Sequence, residues 1–597
     1  MRLSKLYSNK PGLFEPVRFT PGLNVVLAEI RLPENRTKDT HNLGKTTLGR
    51  LIDFCLLTKR DANFFLFKHE SLFKDFIFFL EVALLDGGFV TIRRGVDEPT
   101  KISIKRHTQG DMTLIDLTES SWDHSIAFDK AKEILDGLFD LRDISPWPYR
   151  KLLGYLLRTQ DDYRDVFQLR KFAGSHSDWK PFLAHLLGFN SKLLSEHYEK
   201  EDALEQHKAD EATIQRELGG SIGDLSKIEG LLLLKQNDAQ KKEKLLNAFD
   251  LRQGDKDHTK DLVDNLNTQI ADLNGQRYSL SQNKWKIQSS LQEDEILFDP
   301  KLAAELFEEA NVHFPAQLKR DFEQLIAFNR AITNERTQYL SEELIEIETD
   351  LKRINAELNS LGKQRSDTLS FLTGTDPFAK YKQLTDELVS VKTDIAGLER
   401  QRSFLHRLQE LRTKVRTLAE EKEHLQSQIE EDVERQNADK VSLFSSIRVL
   451  FNDVIEEVID RKALLSVAPN SNGHLEFKAE ILDGAGNVTS ADLGHTYRKL
   501  LCIAFDMAVL RAHLKGKFAR FVFHDGVFES LDDRKKTNLL ETIRASTNLG
   551  IQHIITLIDS DMPPSYADGT ATFTNDEIVL RLHDEDQGGR LFKMRTW

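Results

Sequence analysis

A hydrophobic period of 3.5 residues constrains this chain more than any other feature of its sequence. Leu340, Leu344, Ile347, Leu351, Ile354, Leu358 and Leu361 follow one another in alternating steps of four and three. Leu384, Leu388, Val391, Ile395, Leu398, Arg402 and Leu405 repeat those steps. After one irregular step, Leu411, Val415, Leu418, Lys422, Leu425 and Ile429 resume them. An earlier set, Ile270, Leu273, Arg277, Leu280, Lys284, Ile287 and Leu291, fits the same register less closely. A sustained period of this kind keeps one seam of a helix against a partner helix, so it predicts a coiled coil. The irregular step reads as a stutter or stammer.

These runs lie between residues 191 and 440, where Gly and Pro become rare and charges dense. Near their centre, the stretch from Phe298-Asp299-Pro300 to Pro315 gathers Leu302, Leu306, Phe307, Val312 and Phe314. It reads as a helical tip at which the chain turns back. The expected layout is an ascending arm over 191–295, a tip over 296–335 and a descending arm over 336–440. Arms of nearly equal length fit an antiparallel hairpin, each on the order of 150 Å long if unbroken. Breaks at Arg252–His258 and Thr373–Pro377 lie equally far from the tip, which predicts an elbow where they meet.

The flanks, 1–190 and 441–597, carry mixed α/β patterning and are expected to form the two halves of one head. In the first half, Leu23–Leu27 reads as a strand and Leu48–Leu57 as an amphipathic helix, with Asn42-Leu43-Gly44-Lys45-Thr46-Thr47 between them. A phosphate-binding loop needs that context. Backbone N–H groups at a helix N-terminus cradle phosphates, a lysine reaches the outer ones, and a Ser/Thr hydroxyl holds Mg²⁺. Asp39 stands where such loops place their first glycine. The plainer alternative is a turn and helix start in an ordinary α/β domain. Phe76–Leu85 and Phe89–Arg94 around Gly87-Gly88 predict a β-hairpin. Lys101–Arg106 predicts a third strand, whose basic face is most simply a solvated one. Tyr149–Arg158 reads as a helix. In the second half, His474–Leu482, Phe518–Asp525 and Ile551–Ile558 read as strands and Tyr497–His513 as a helix.

Composition narrows the classes. The chain has 597 residues, 30% of them charged, a mean hydropathy of -0.44 and a formal net charge of -14. No global basic field draws it to nucleic acid, so any such contact needs a local patch. Arg400, Arg402, Arg407, Arg412, Lys414 and Arg416 form one candidate on the descending arm, against the commoner reading of a solvated coiled-coil face. The two cysteines, Cys55 and Cys502, lie in apolar helical runs, which suits buried thiols in a reducing compartment. The apolar run in Met1–Tyr7 is too short for a signal peptide, and no stretch approaches the roughly 20 apolar residues that span a bilayer. The expectation is a soluble, cytoplasmic protein without a membrane partner. No Cys/His cluster with metal-ligand spacing and no serine- or cysteine-nucleophile motif stands out along the chain.

The layout of half-head, coiled-coil hairpin and half-head resembles the ABC-type ATPase heads of SMC proteins, the RecN repair protein and their bacterial relatives. Phe521-Val522-Phe523-His524-Asp525 resembles their Walker B strand, whose terminal aspartate orients Mg²⁺. Ser530-Leu531-Asp532 falls where that family has its D-loop, and Gln160 where it has its Q-loop glutamine. Leu493-Gly494 stands at the signature loop, followed by bulky His495, Thr496 and Tyr497. The family's catalytic glutamate directly follows the Walker B aspartate, but Gly526 is found here. Glu529 and His524 are the candidates to position an attacking water instead. The family's switch histidine is absent, with Ile558-Asp559-Ser560-Asp561 in its place.

The resemblance implies a split ABC-type P-loop head, ATP and Mg²⁺ as cofactors, and a homodimer through the heads. The nucleotide would be held by Asn42, Leu43, Gly44, Lys45, Thr46, Thr47, Gln160, Leu493, Gly494 and Asp532, and the metal by Thr46, Asp525 and Gln160. Two functions follow. One is a slowly hydrolysing, DNA-associated ATPase in maintenance, repair or anti-phage defence. The other is a nucleotide-binding scaffold or sensor that hydrolyses little and recruits a separate effector protein. A coiled-coil structural protein with a coincidental GKT is the weakest reading, because the step from Asp525 to Asp532 matches as well.

Overall fold

The computed structural model describes residues 1–32, 43–169, 174–217, 225–248, 256–293, 316–370, 376–489, 494–565 and 571–595. It divides into two compact units, one formed by residues 1–201 with 420–597 and the other by residues 202–419.

Strands β1 (Arg2–Ser8), β2 (Val17–Arg18) and β3 (Leu23–Glu29) precede helix α1 (Lys45–Cys55). Strands β4 (Ile77–Ala83), β5 (Phe89–Gly95), β6 (Lys101–His107) and β7 (His124–Ala127) follow. Next come helices α2 (Phe128–Phe139) and α3 (Tyr149–Leu156), the two-residue strand β8 (Leu157–Arg158) and helix α4 (His176–Leu186). The middle of the chain is helical: α5 (Ser191–Glu217), α6 (Leu225–Asn247), α7 (Lys256–Glu293), α8 (Ala316–Ser370) and α9 (Asp376–Ala438). After α10 (Leu443–Ile459) come β9 (Ala463–Pro469), β10 (Leu475–Ile481), α11 (His495–Ala512) and β11 (Phe521–His524). Helix α12 (Asp533–Asn548) and strands β12 (Gln552–Ile558) and β13 (Ile578–His583) complete the order.

In the first unit, a parallel sheet runs in the order β13-β3-β12-β11-β8. Both chain halves contribute strands, so neither half completes this sheet alone. Parallel strands are buried on both faces, and β3 and β12 accordingly read as unbroken runs, Leu23-Asn24-Val25-Val26-Leu27-Ala28 and Gln552–Leu557, buried throughout. Helix α1 buries Leu48, Leu51 and Ile52 and packs against β8 and β12 of this sheet. At Gly49 it comes so close that a Cβ would lie 2.5 Å from the Phe523 ring. Helix α11 is buried from Lys499 to Leu510 on all sides, as an inner helix must be. A second, antiparallel sheet runs β2-β1-β4-β5-β6-β7, and β9 with β10 forms a hairpin.

The sequence reading of Tyr149–Arg158 as one helix needs correction. The helix stops at Leu156, and Leu157 and Arg158 pair in parallel with Phe523 and His524. Two residues are too few for any hydrophobic period to reveal them. Their pairing sets Gln160 just beyond the C-terminal edge of the sheet.

The second unit is a bundle of long helices in antiparallel pairs. Lys284 of α7 meets Glu348 of α8 at 2.7 Å, while Asn267 meets Arg365 further back along both helices. Ile347 and Ile354 are buried, while Thr349, Lys352 and Arg353 between them are exposed, as the heptad register requires. Ile214, Ile228, Leu232, Leu405, Leu408 and Leu411 form one apolar cluster across α5, α6 and α9. Leu408 fills the irregular step between Leu405 and Leu411, so the seam continues through it. Residues 316–335, read from sequence as part of the tip, belong to the same helix as 336–370. The remainder of the tip and both breaks of the expected elbow fall mostly outside the described residues. Among the basic candidates on α9, Arg412 pairs with Glu211 at 2.9 Å, and Arg400, Arg407, Lys414 and Arg416 are exposed. No described helix is long and apolar enough to cross a membrane.

Candidate functional site

In open α/β sheets, ligands bind beyond the C-terminal ends of the parallel strands. Of the expected residues, Lys45, Thr46, Gln160, Asp525 and Glu529 come together there. Helix α1 starts at Gly44, whose φ of 107° lies in the left-handed region that favours glycine, and a Cβ there would come within 2.6 Å of Leu591. The Leu591 N–H donates to the Leu43 carbonyl at 3.0 Å, so the chain's last described segment backs this turn. Lys45 and Thr46 open the first turn, and Thr47 follows, half-buried.

Asp525, at the end of β11, is fully buried. The Thr46 hydroxyl donates to one of its carboxylate oxygens at 2.6 Å and the Thr556 hydroxyl to the other at 2.5 Å. The Gly526 N–H in turn donates to the Thr556 hydroxyl at 3.0 Å. Lys45 lies among acids. Burial pulls its ammonium below the usual lysine range, against the attraction of Asp525, Asp561, Glu529 and Asp559. Burial, reinforced by Glu529, pushes the Asp561 carboxyl up, against Lys536, Lys45 and Lys499. Asp559 is held by the Ile30 N–H at 3.1 Å.

The turn after Asp525 has a geometry the sequence does not announce. Gly526 has φ 65° and Ser530 has φ 68°. This path folds Glu529 back until its carboxylate stands 3.2 Å from where a Gly526 Cβ would lie, with the Gln160 amide 3.0 Å from the same point. Gln160 donates to Glu529 at 3.4 Å. Buried Lys499 of α11 clamps the turn. Its ammonium donates to the Gly526 carbonyl at 3.0 Å and the Glu529 carbonyl at 3.4 Å, and pairs with the Glu529 carboxylate at 3.2 Å. Hydrogen bonding to three oxygens makes burial of this charge tolerable.

His524 does not share this site. It is fully buried, and its Nε2 lies 3.1 Å from Asp506. Asp506 also receives two bonds from the fully buried Arg158, at 2.6 and 3.0 Å. Arg158 further donates to the carbonyls of Asp162, Asp165 and Val166, and so pins the loop that carries Gln160. The expectation that His524 positions a water fails for that reason: strand alternation sends its ring into the core. Asp532 caps α12 by accepting from the Lys535 N–H at 3.0 Å, and its carboxylate pairs with the Lys535 ammonium at 2.8 Å. Gly494 is the exposed residue preceding α11. Asn42 and Leu493 lie outside the described residues.

Sequence reasoning missed Lys499, Thr556 and Arg158. Lys499 directly precedes an apolar helical run, and Arg158 follows one. A charge in such a place is the one available signal, because burial there demands a partner.

The oxygen-only set of Thr46 and Asp525 suits a hard divalent cation, and the helix N-terminus beside Lys45 suits an anion. These groups fit Mg²⁺ with a nucleotide.

A family model described as "Uncharacterised protein conserved in bacteria (DUF2326)" matches residues 454–596. That segment contains Lys499, Asp525, Glu529 and Asp532. The chain is similar to the uncharacterized protein YydD of Bacillus subtilis (strain 168), with 21% identity over 549 residues, covering 88% of this chain and 87% of the relative. Among solved structures, it is similar to an Smc head domain with a coiled coil and joint from Pyrococcus yayanosii. That match has 15% identity, covers 95% and 96% of the two chains and has a TM-score of 0.34. An Smc head domain with an extended coiled coil from Pyrococcus furiosus, bound to the C-terminal domain of ScpA, matches at 13% identity over 94% and 90% with a TM-score of 0.32.

Proposed function

We propose that this chain is an ATP-binding, slowly hydrolysing ATPase of the SMC-like ABC type. Its heads pair on ATP in a homodimer that acts in DNA-related maintenance, repair or anti-phage defence. The observation that carries the reading is the meeting of Thr46 and Asp525 at 2.6 Å across 479 residues of sequence, on the N-terminus of α1. Nothing in ordinary α/β packing requires a buried carboxylate there.

In this reading Lys45 holds the outer phosphates, and Thr46 with Asp525 holds Mg²⁺, which neutralises charge on the transferred group. Phosphoryl transfer depends mostly on such positioning and charge stabilisation. Glu529 takes the place of the missing glutamate: its carboxylate reaches back to the position from which a side chain at residue 526 would grow. Gln160 and Lys499 fix its orientation. Lys499 is a positioning residue, because it acts through Glu529.

Steady-state ATPase and ATP-binding measurements test this reading. Wild type is expected to turn over slowly, Lys45→Ala to lose ATP binding, and Glu529→Gln to keep binding while turnover falls about 10²-fold or more. Unchanged ATP affinity in Lys45→Ala overturns the proposal. Tight binding with no turnover in wild type selects the second reading, a nucleotide-binding scaffold that recruits a separate effector protein. Gly526 after Asp525, and Asp559 and Asp561 where the family's switch histidine stands, favour that alternative. DNA as a partner is tested separately by anisotropy at two salt concentrations, since phosphate contacts weaken as salt rises.

A further inference from the structure

His197 is fully buried, and neither of its ring nitrogens has a hydrogen-bond partner among the described residues. A buried imidazole left this way loses its hydration and gains nothing in exchange, at about 1–3 kcal/mol. One turn along α5, Glu201 lies on the same helix face. Opposite them, the turn between β9 and β10 delivers His474, whose Nε2 is 2.6 Å from Glu201 Oε2. Ligand atoms of His197, Glu201 and His474 all lie within 4.8 Å of one another.

The surroundings hold this arrangement in place. Gly473 has φ 81°, and a Cβ there would be 3.0 Å from His197 Nε2, so only glycine lets the turn come so near that nitrogen. The Asn470 side chain accepts from the His474 N–H at 3.1 Å, and the Tyr198 ring stacks on the His474 ring with centroids 4.8 Å apart. Lys422 pairs with the other oxygen of Glu201 at 2.5 Å, which leaves Oε2 for a further partner.

We propose that His197, Glu201 and His474 form a site for a divalent transition-metal ion of the Zn²⁺ kind. Two imidazoles and a carboxylate are borderline ligands that suit Zn²⁺ over Mg²⁺ or Ca²⁺, with a fourth position left to water. Bonds of about 2.0–2.1 Å require ligand atoms roughly 3.4 Å apart. The three groups reach that spacing by a shift of about an ångström, in which His197 closes in and the Glu201–His474 bond opens. Lys422 keeps its place on Oε1, as outer partners of metal-bound carboxylates do. His474 and Glu201 are half-buried, so the ion enters from their side. The ion ties the β9–β10 hairpin to the start of α5. The site uses none of the residues of the nucleotide reading and stands or falls apart from it.

The test is a titration of chelator-treated full-length protein with Zn²⁺ against a chromophoric competitor, repeated with Co²⁺ to read the visible band of a four-coordinate ion. Wild type should take up one tight equivalent. His197→Ala and His474→Gln should each lose it, along with the Co²⁺ band. The half-exposed turn position of His474 keeps its variant folded, as a thermal melt checks, should His197→Ala unfold. Absence of a tight equivalent in wild type, or its retention in folded His474→Gln, overturns the proposal.

Discussion

The parallel sheet and the helical arms use charge in opposite ways. Beneath the sheet's C-terminal edge, Arg158, Asp506 and His524 are all buried and bond to one another and to nearby carbonyls. Along the arms, Lys242–Glu387, Lys235–Asp394 and Lys392–Glu243 join helices at half-exposed surfaces. A buried pair is costly to break because the partner left behind stays desolvated. A surface pair is cheap to break because water replaces it. The sheet is therefore specified by a few irreplaceable contacts, and the arms by a long seam in which each contact counts for little.

Substitutions at matched positions sharpen this contrast. Asp506→Ala leaves Arg158 charged and buried, and should lower stability by about 3–5 kcal/mol in urea unfolding. An effect under about 1 kcal/mol would show the pair to be hydrated. Acidification comes next. His553 is fully buried, and burial, with His524 adding to it, pulls it down to about 3. The unfolded chain takes up this proton near pH 6.5 and the native one does not. Stability that is complete above pH 6.5 is then lost as pH falls toward 3, at about 1.4 kcal/mol per pH unit. Thermal melts of wild type and His553→Gln between pH 7 and 4.5 check this, since the variant should lose correspondingly less over that window.

Glycine gives the sharpest comparison, because one chemical change should have opposite signs in the two regions. Gly49→Ala drives a methyl into the buried Phe523 ring and should destabilise by about 1–3 kcal/mol. Gly362→Ala in α8 meets nothing within 4 Å and should stabilise its helix by about 0.5–1 kcal/mol. Equal effects in chemical denaturation would erase the distinction. The smallest change is expected for Lys242→Ala, at about 0.2–1 kcal/mol and shrinking with added salt.

The same contrast decides what the sequence could show. The arms were legible because each heptad states its own environment: Ile347 and Ile354 are buried where the register puts them. Lys45 and the strand-end Asp525 could be placed from the sequence because each lies where an apolar run meets a helix start or a strand end. The turn that returns Glu529 to Gly526 could not be, since it depends on two left-handed φ angles and a clamp from Lys499. Strand β8 was hidden by its length, and it is that strand which brings Gln160 to the site. His197 and His474 lie 277 positions apart, with only the His197/Glu201 helical spacing to hint at a shared face.

Strand β3 is flanked in its sheet by β12 and β13, both from the end of the chain, and the Gly44 turn is backed by Leu591. That arrangement sets a timetable for synthesis. The ribosome adds about 5–20 residues per second. The 479 residues separating Thr46 from Asp525 therefore take roughly 25–100 s to make at that rate. Throughout that interval β3, an apolar run, lacks both of its neighbours. The helical arms, whose contacts are nearer in sequence, can pair while it waits. The growing chain must shelter its first strands until its last ones emerge, so a nascent or truncated chain should be more prone to aggregate than the finished protein.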